Sequence, residues 1–178
     1  MPDIENLEDS IIEIYRNHYL DVYRFLICFT GNQNDAEDLT QEVFIRVLNN
    51  LNKFHSGSLT TWIFSIAKHV AIDDYRKKRF SSIFKDGFFK RIASMEKNPS
   101  DFIEQDELKR TVHTAISKLK PSYRSVVILR GINEFSIKET AYILKCSESK
   151  VKVDYHRALK ILKNQLNMVD LEVIKNVN

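Results

Sequence analysis

Residues 136–166 read SIKETAYILKCSESKVKVDYHRALKILKNQL, and this stretch decides the fold. Ile137, Ala141 and Leu144 recur three and four residues apart, the spacing of one helix face. Small Ala141 stands where a second helix must cross closely. Lys145-Cys146-Ser147 reads as a turn with Cys146 as a small apolar plug. Val151, Tyr155, Ala158, Leu159, Leu162 and Leu166 then form the inner stripe of a longer helix. Ser136 and Ser147 stand where helix N-caps are wanted, because their hydroxyls can accept from unpaired first-turn N–H groups. Two helices joined by so short a turn make a helix-turn-helix, a motif that can set its second helix into the DNA major groove. The outer face of that helix is Ser149, Lys150, Lys152, Val153, His156, Arg157, Lys160 and Lys163. Its cations suit phosphates, and its N-terminal residues suit base edges. Lys145 occupies a place where the motif often has glycine. The competing reading of the same residues is an ordinary basic face on a helical hairpin.

Working outward, only 4 Gly and 3 Pro among 178 residues leave little material for a turn-rich β architecture, so the expected fold class is all-α. A first helix is predicted from about Asp9 to Thr30, with Ile11, Tyr15, His18, Val22, Leu26 and Phe29 as its stripe and Gly31 as its stop. Asn34 is the expected N-cap of a second helix, with Glu37 completing a capping box. That helix reaches about Leu51 and turns Leu39, Val43, Val47 and Leu51 inward. Its opposite stripe is Asp38, Gln41, Glu42 and Ile45. A loop over 52–58 precedes a third helix from about Leu59 to Arg79, whose inner stripe is Leu59, Ile63, Ile66, Ala67 and Val70.

Periodicity weakens over residues 80–100, which read as a linker. Its Phe80, Phe84, Phe88 and Phe89 fit docking on a partner or on the first module equally well. A second module begins with Ser100 or Asp101 as N-cap, and Phe102, Leu108, Val112, Ala115, Ile116 and Leu119 mark a helix ending before Pro121. Another runs from Ser122 to about Ile132. The expectation is two small helical domains, 1–79 and 101–178, joined by the linker 80–100.

Several function classes drop away. No run of about 18 apolar residues is free of charge, so no membrane insertion is expected. The acidic start Met-Pro-Asp-Ile-Glu lacks the basic and apolar regions of a signal peptide, and Cys28 and Cys146 stand alone. A reducing cytoplasm fits both features. His18, His55, His69, His113 and His156 lack paired-ligand spacing, so neither metal nor cofactor is expected. Clustered carboxylates and Gly-rich phosphate loops are missing too, which argues against an enzyme. Charge is informative by its distribution. Residues 1–50 carry ten acids against three bases, although the whole chain is at +3. An acidic first third and a basic remainder suit one protein-facing surface and others that face polyanion.

Three segments, taken in order, carry a resemblance. Asp35-Ala-Glu-Asp-Leu-Thr-Gln-Glu-Val-Phe44 resembles the start of region 2 of bacterial RNA polymerase sigma factors. Thr61-Trp62-Ile63 through Ile72-Asp73 and Arg76-Lys77 resembles the promoter-melting, minus-ten-reading helix of the extracytoplasmic-function (ECF) subfamily. Ser136 to Ala141, Ser149 to Lys152 and His156-Arg157-Ala158 resemble that subfamily's region 4. The resemblance implies two helical domains, sigma-2 and sigma-4, with no catalysis or cofactor of their own. It implies core RNA polymerase as partner, through its beta-prime clamp helices and beta flap, together with promoter DNA and a membrane-anchored anti-sigma factor.

On that resemblance Asp38, Leu39, Gln41, Glu42 and Phe44 would meet core polymerase. Leu39 reads first as an inner-stripe residue, and Phe44 fits the core equally well. The loop Phe54, His55, Ser56, Gly57 and Ser58 would capture an unstacked base with Trp62, Ser65, His69, Ile72, Asp73, Arg76 and Lys77. The cluster Arg76 to Arg79 would hold phosphates. Trp62 fits core packing and strand contact equally, and His69 stands where many relatives have asparagine. Ser149, Lys150, Lys152, Val153, His156, Arg157 and Lys160 would approach the minus-thirty-five element. Asp154 departs from a frequent basic residue. It could repel phosphate, accept from a cytosine amine or pair with Lys150, and the intrahelical pair is preferred. The rival to all this is a DNA-binding regulator that never touches polymerase.

Overall fold

Apolar residues three and four apart wind this chain into helices. A computed structural model describes the backbone of residues 4–85 and 107–176, and the side chains of residues 10–81 and 110–166. Among the described residues every regular element is helical. The first module packs α1 (Ile4–Thr30), α2 (Gln33–Asn50) and α3 (Leu59–Lys85). Gly31 ends α1 at φ +70, where an L side chain would be strained, and its N–H returns to the Ile27 carbonyl at 2.9 Å.

Asn32, and not the expected Asn34, caps α2. Its side-chain oxygen accepts from the Asp35 N–H at 3.0 Å. Thr30 accounts for the earlier start: its hydroxyl donates to the Leu26 carbonyl and accepts from the Asn32 N–H, which leaves Asn32 as the extended residue between the helices. Glu37 accepts from the Gln33 side chain at 2.9 Å.

Helix α3 continues past Arg79 to Lys85, so Phe80 to Lys85 are helical where a linker was expected. The basic run is tied down in its middle. Lys78 Nζ lies 2.6 Å from Asp35 and 2.9 Å from Asp74. Burial pushes the Lys78 ammonium pKa down, and the hydrogen bonds to the two carboxylates more than offset this, so it is raised. Phe88, Phe89, the N-cap expected at Ser100 or Asp101, and Phe102 lie outside the described residues.

The second module comprises α4 (Glu107–Ser117), α5 (Pro121–Val127), α6 (Ile137–Leu144) and α7 (Glu148–Asn176). Pro121 occupies the first turn of α5, where its missing N–H costs nothing. Helix α5 runs into a π turn, Ile128–Ile132, and the Asn133 N–H reaches the Ile128 carbonyl at 2.9 Å. Glu134, at φ 60, then swings the chain so that Phe135 turns inward. On α7 the inner line is Val151, Ala158 and Leu162, with half-buried Tyr155 against it. Leu159, expected on that line, is 43% exposed, because one residue past Ala158 lies about 100° around the helix.

The two modules share one continuous apolar core. Phe64 of α3 meets Phe25 of α1 at 5.9 Å on one side and Phe135 of the second module at 4.6 Å on the other, both edge-on. Asn133 donates across the seam to the Asp21 carbonyl at 3.1 Å. Arg124 of α5 is 7% exposed and lies where the C-termini of α1 and α4 converge. Its guanidinium donates to the Phe29 carbonyl at 2.8 Å, to the Ser117 carbonyl, and to the Leu119 carbonyl at 3.0 Å. It also lies 5.0 Å over the Phe29 ring and 5.5 Å over Tyr75.

Carbonyls in a last helical turn lack intrahelical donors and carry the negative end of the dipole, so one cation satisfies both ends at once. Arg124→Met, which keeps an unbranched apolar stem and removes the guanidinium, should lower stability to urea by about 2–4 kcal/mol, since buried carbonyls would lose their donors.

Candidate functional site

Three surfaces collect the polar residues singled out by the sequence. The first is the outer face of α2. Asp38 and Gln41 are exposed, Glu42 is half-exposed, and Ile45, 53% exposed, extends the stripe. Leu39 is partly buried and packs on the core. Phe44 is 4% exposed, 4.8 Å from the Tyr15 ring and 6.4 Å from Tyr19, so its ring serves the core. Arg46 follows one turn behind Glu42, at 2.6 Å, and also approaches Asp73 of α3 at 3.9 Å.

The second surface is the α3 face with the loop before it. His55, Ser56, Gly57 and Ser58 are exposed, and Gly57 sits at φ +101 with open space around it. Phe54 packs against Trp62 at 5.4 Å, and both are partly buried. Trp62, Ser65 and His69 share one face. Ile72 packs on the core, Asp73 is half-buried, and Arg76 and Lys77 are exposed. The His69 ring is oriented by its own helix: Nδ1 lies 2.6 Å from the Ser65 carbonyl, which can only accept, so Nδ1 carries the proton. Lys78 pairs with Asp35 and Asp74, and Arg76 and Lys77 of the same run are exposed.

The third surface is the helix-turn-helix. Ser136 and Glu139 form a reciprocal capping box at the start of α6, with bonds of 2.8 and 3.2 Å. Lys145 closes α6 in the left-handed region at φ 53, so the backbone that glycine would suit is present with a lysine on it. The Cys146 N–H then reaches the Ala141 carbonyl at 3.0 Å. Ser147 accepts from the Lys150 N–H at 3.2 Å and caps α7. Ser149, Lys150, Lys152, Val153, His156, Arg157 and Lys160 are all exposed along one side of α7. Asp154 is turned inward, 8% exposed, and accepts from Lys150 Nζ at 2.6 Å, the intrahelical pair preferred on the sequence. That hydrogen bond raises the Lys150 pKa.

The structure brings the second and third surfaces together. A groove of about 800 Å³ is lined by Trp62, Ser65 and His69 on one side and Tyr142, Lys145 and Glu148 on the other. Burial lowers the pKa of Lys68 on α3, and Lys145 across the groove lowers it further. The α2 stripe and the α7 face stay open.

Sequence reasoning missed Arg124, Phe64, Phe135 and Arg46. Phe64 and Arg46 were legible only as one further residue on a helix, and the partners of Arg124 and Phe135 are remote in the chain. Among the described residues no helix is long and apolar enough to cross a membrane.

Comparison with known proteins adds to this geometry. The model of Sigma-70 region 2 matches residues 14–81, and that of Sigma-70 region 4 matches residues 109–162. The chain belongs to the sigma-70 family. It is 37% identical to the ECF RNA polymerase sigma factor SigX of Bacillus subtilis (strain 168), over 94% of this chain and 89% of that one. It is 31% identical to SigW of the same organism, over 88% of this chain and 87% of the relative. It is thus an ECF sigma factor. Its fold is similar to that of the sigma factor RpoE in complex with the anti-sigma factor NepR from Bartonella quintana. The TM-score there is 0.70 at 24% identity, covering 92% of this chain and 98% of the other. It is also similar to CnrH in complex with the cytosolic domain of CnrY, with a TM-score of 0.69 at 22% identity and 90% of each chain covered.

The capping box gives this sigma factor a measurable acid response. Hydrogen bonds from Ser136 hold the Glu139 carboxyl pKa below its ordinary value of 4.5. A depressed carboxylate contributes stability at neutral pH that is lost as pH falls from about 4.5 downward. Glu139→Gln keeps a hydrogen-bonding side chain without the charge. The melting temperature of the parent should therefore exceed that of the variant at pH 7, and the gap should close by acid pH.

Proposed function

We propose that this sigma factor binds core RNA polymerase through the acidic stripe of α2, reads the minus-ten element with α3 and its preceding loop, and reads the minus-thirty-five element with α7. The observation that carries the reading is the segregation of these faces on three helices of one framework. Asp38, Gln41 and Glu42 present acid and amide outward, matched to the basic clamp helices of the polymerase, with the beta flap as a second contact. Trp62, Ser65, His69, Asp73, Arg76 and Lys77 supply ring, imidazole and cations for an unstacked strand. Lys152, Val153, His156, Arg157 and Lys160 supply a basic face for duplex DNA, with Ser149 and Lys150 at its start.

Residues 1–79 serve as the sigma-2 domain and 101–178 as the sigma-4 domain, joined by 80–100. The chain acts in the cytoplasm without a cofactor or catalysis of its own, and an anti-sigma factor, membrane-anchored in this reading, holds it inactive. DNA entering the Trp62–His69 face meets the wall formed by α6, so promoter reading requires the modules to part along that groove.

Purified chain with core polymerase should start run-off transcription at promoters that core alone ignores. Silence across a genomic promoter library would sink the reading. Lys152→Ala and Arg157→Ala should weaken promoter use by about 1–3 kcal/mol where a base contact is lost, with core affinity unchanged. Asp38→Lys should do the reverse, lowering core affinity first. Specific promoter binding by the isolated chain at equal strength would favour a free-standing regulator.

A further inference from the structure

Contacts across the seam between the modules are of two kinds, with opposite effects on closure. Three hold the seam shut. The Arg124 guanidinium donates to the Phe29 carbonyl at 2.8 Å, Asn133 donates to the Asp21 carbonyl at 3.1 Å, and Phe135 meets Phe64 at 4.6 Å. Asp21, Phe25 and Cys28 follow one another four and three residues apart on α1, so they share the side that the second module covers. Cys28 is 4% exposed there, its thiol 3.5 Å from the His113 ring of α4. The acceptors are neutral carbonyls and the remainder is apolar, so added salt weakens these contacts little.

Another contact pushes the modules apart. Lys145, turned by its left-handed backbone at the end of α6, lines the groove opposite α3. Lys68 stands across from it on α3, its ammonium 3.4 Å from His69 Nε2, the ring nitrogen left free to accept. Burial lowers the Lys68 pKa, and Lys145 and Arg76 lower it further, against smaller pulls from Asp73 and Cys146. Two ammonium groups of different modules therefore repel one another in the closed chain.

We propose that the three closing contacts form an autoinhibitory latch in the free chain, and that repulsion between Lys68 and Lys145 keeps the latch shallow enough for core polymerase to open. The proposal rests on the sigma reading above, in which α6 walls off the promoter-reading side of α3, and it names the parts that set the closing equilibrium. Polymerase that grips α2 and the second module at separate places favours the parted form by its difference in affinity for the two forms. The strength of the latch is then subtracted from core binding. Arg124 keeps its donors on the Ser117 and Leu119 carbonyls when the modules part, so it also serves the second module alone. Asn133 and Lys145 separate the latch from the fold more cleanly.

The test uses the full chain carrying Cys146→Ala, which leaves Cys28 as its remaining thiol, and follows alkylation by iodoacetamide under native conditions. Labelling of the free chain should be slow. Its rate should rise with urea far less steeply than global unfolding does, because parting the modules exposes only part of the surface that unfolding exposes. Core polymerase should raise the rate by about tenfold or more. Asn133→Ala should raise it roughly three- to tenfold, the equivalent of one lost hydrogen bond, and should tighten apparent core affinity by the same factor. Lys68→Gln and Lys145→Gln should each slow labelling about two- to threefold at low salt, and the double variant no further. That gap should close near about 1 M salt, where the screening length is about 3 Å.

Fast labelling of the parent, or labelling that tracks global unfolding in urea, would overturn the latch. Faster labelling in Asn133→Ala with core affinity unchanged would reduce the contact to a structural one and end its inhibitory role. Equal rates in the parent and both glutamine variants would remove the repulsion from the account. A rate that core polymerase leaves unchanged would refute opening by polymerase. Run-off transcription by the parent is the separate measure of the sigma reading, and its failure beside an intact labelling pattern would count against that reading alone.

Discussion

The Arg124 guanidinium is the interaction on which the rest of the structure depends. Two helices from different parts of the chain, α1 and α4, end at the same place, and each brings carbonyl groups that its own ladder leaves unpaired. Two negative helix ends converging in an apolar seam would repel one another and strand their acceptors. A cation with several donors in one plane resolves both problems, and lysine, with a compact ammonium, could not span the same set. Burial lowers the pKa of the group, yet arginine stays charged at any pH relevant to a cell. The Phe64–Phe135 contact then closes the apolar part of the same seam.

Once that seam is set, the placement of the functional faces follows. Helix α3 contributes Ile63, Phe64, Ala67 and Val70 to the core, so Trp62, Ser65 and His69 must emerge on the side toward α6. Helix α2 buries Ala36, Thr40, Val43, Phe44 and Val47, which sends Asp38, Gln41 and Ile45 outward. Helix α7 turns Val151, Ala158 and Leu162 inward and leaves its cations in solvent. The side chains of these outer faces therefore ride on helices whose opposite faces are locked by packing, which fixes their directions far better than a loop would. The loop 54–58 is the exception, with open space around Gly57.

Much of this was legible in the sequence because it depends on neighbours a few residues away. The 3.6-residue period of apolar side chains announced the helices, Gly31 announced the end of α1, and Ser136 announced the start of α6. The exposed face of α7 was readable residue by residue, and so was the Lys150–Asp154 pair, since both partners lie on one turn. Short-range rules failed where two local options compete. Asn32 and Asn34 are equally good caps in isolation, and the Thr30 hydroxyl, bonded on both sides, selected Asn32. Leu159 has a core residue's composition, yet Ala158 and Leu162 occupy the inward line.

The sequence by itself determined the helical class, the order of the helices, the chemistry of each outer face and the family. Each of these is set by period, cap or motif, which are properties of adjacent residues. Only the tertiary structure decided which faces meet. Arg124 reaches the carbonyl of a residue 95 positions earlier, and nothing in its own neighbourhood announces that acceptor. The opposition of Phe64 to Phe135, of His69 to Tyr142, and of Arg46 to Asp73 arises the same way. Such pairings are chosen by how whole helices pack to bury apolar area and satisfy buried carbonyls, and that choice is global where a sequence pattern is local.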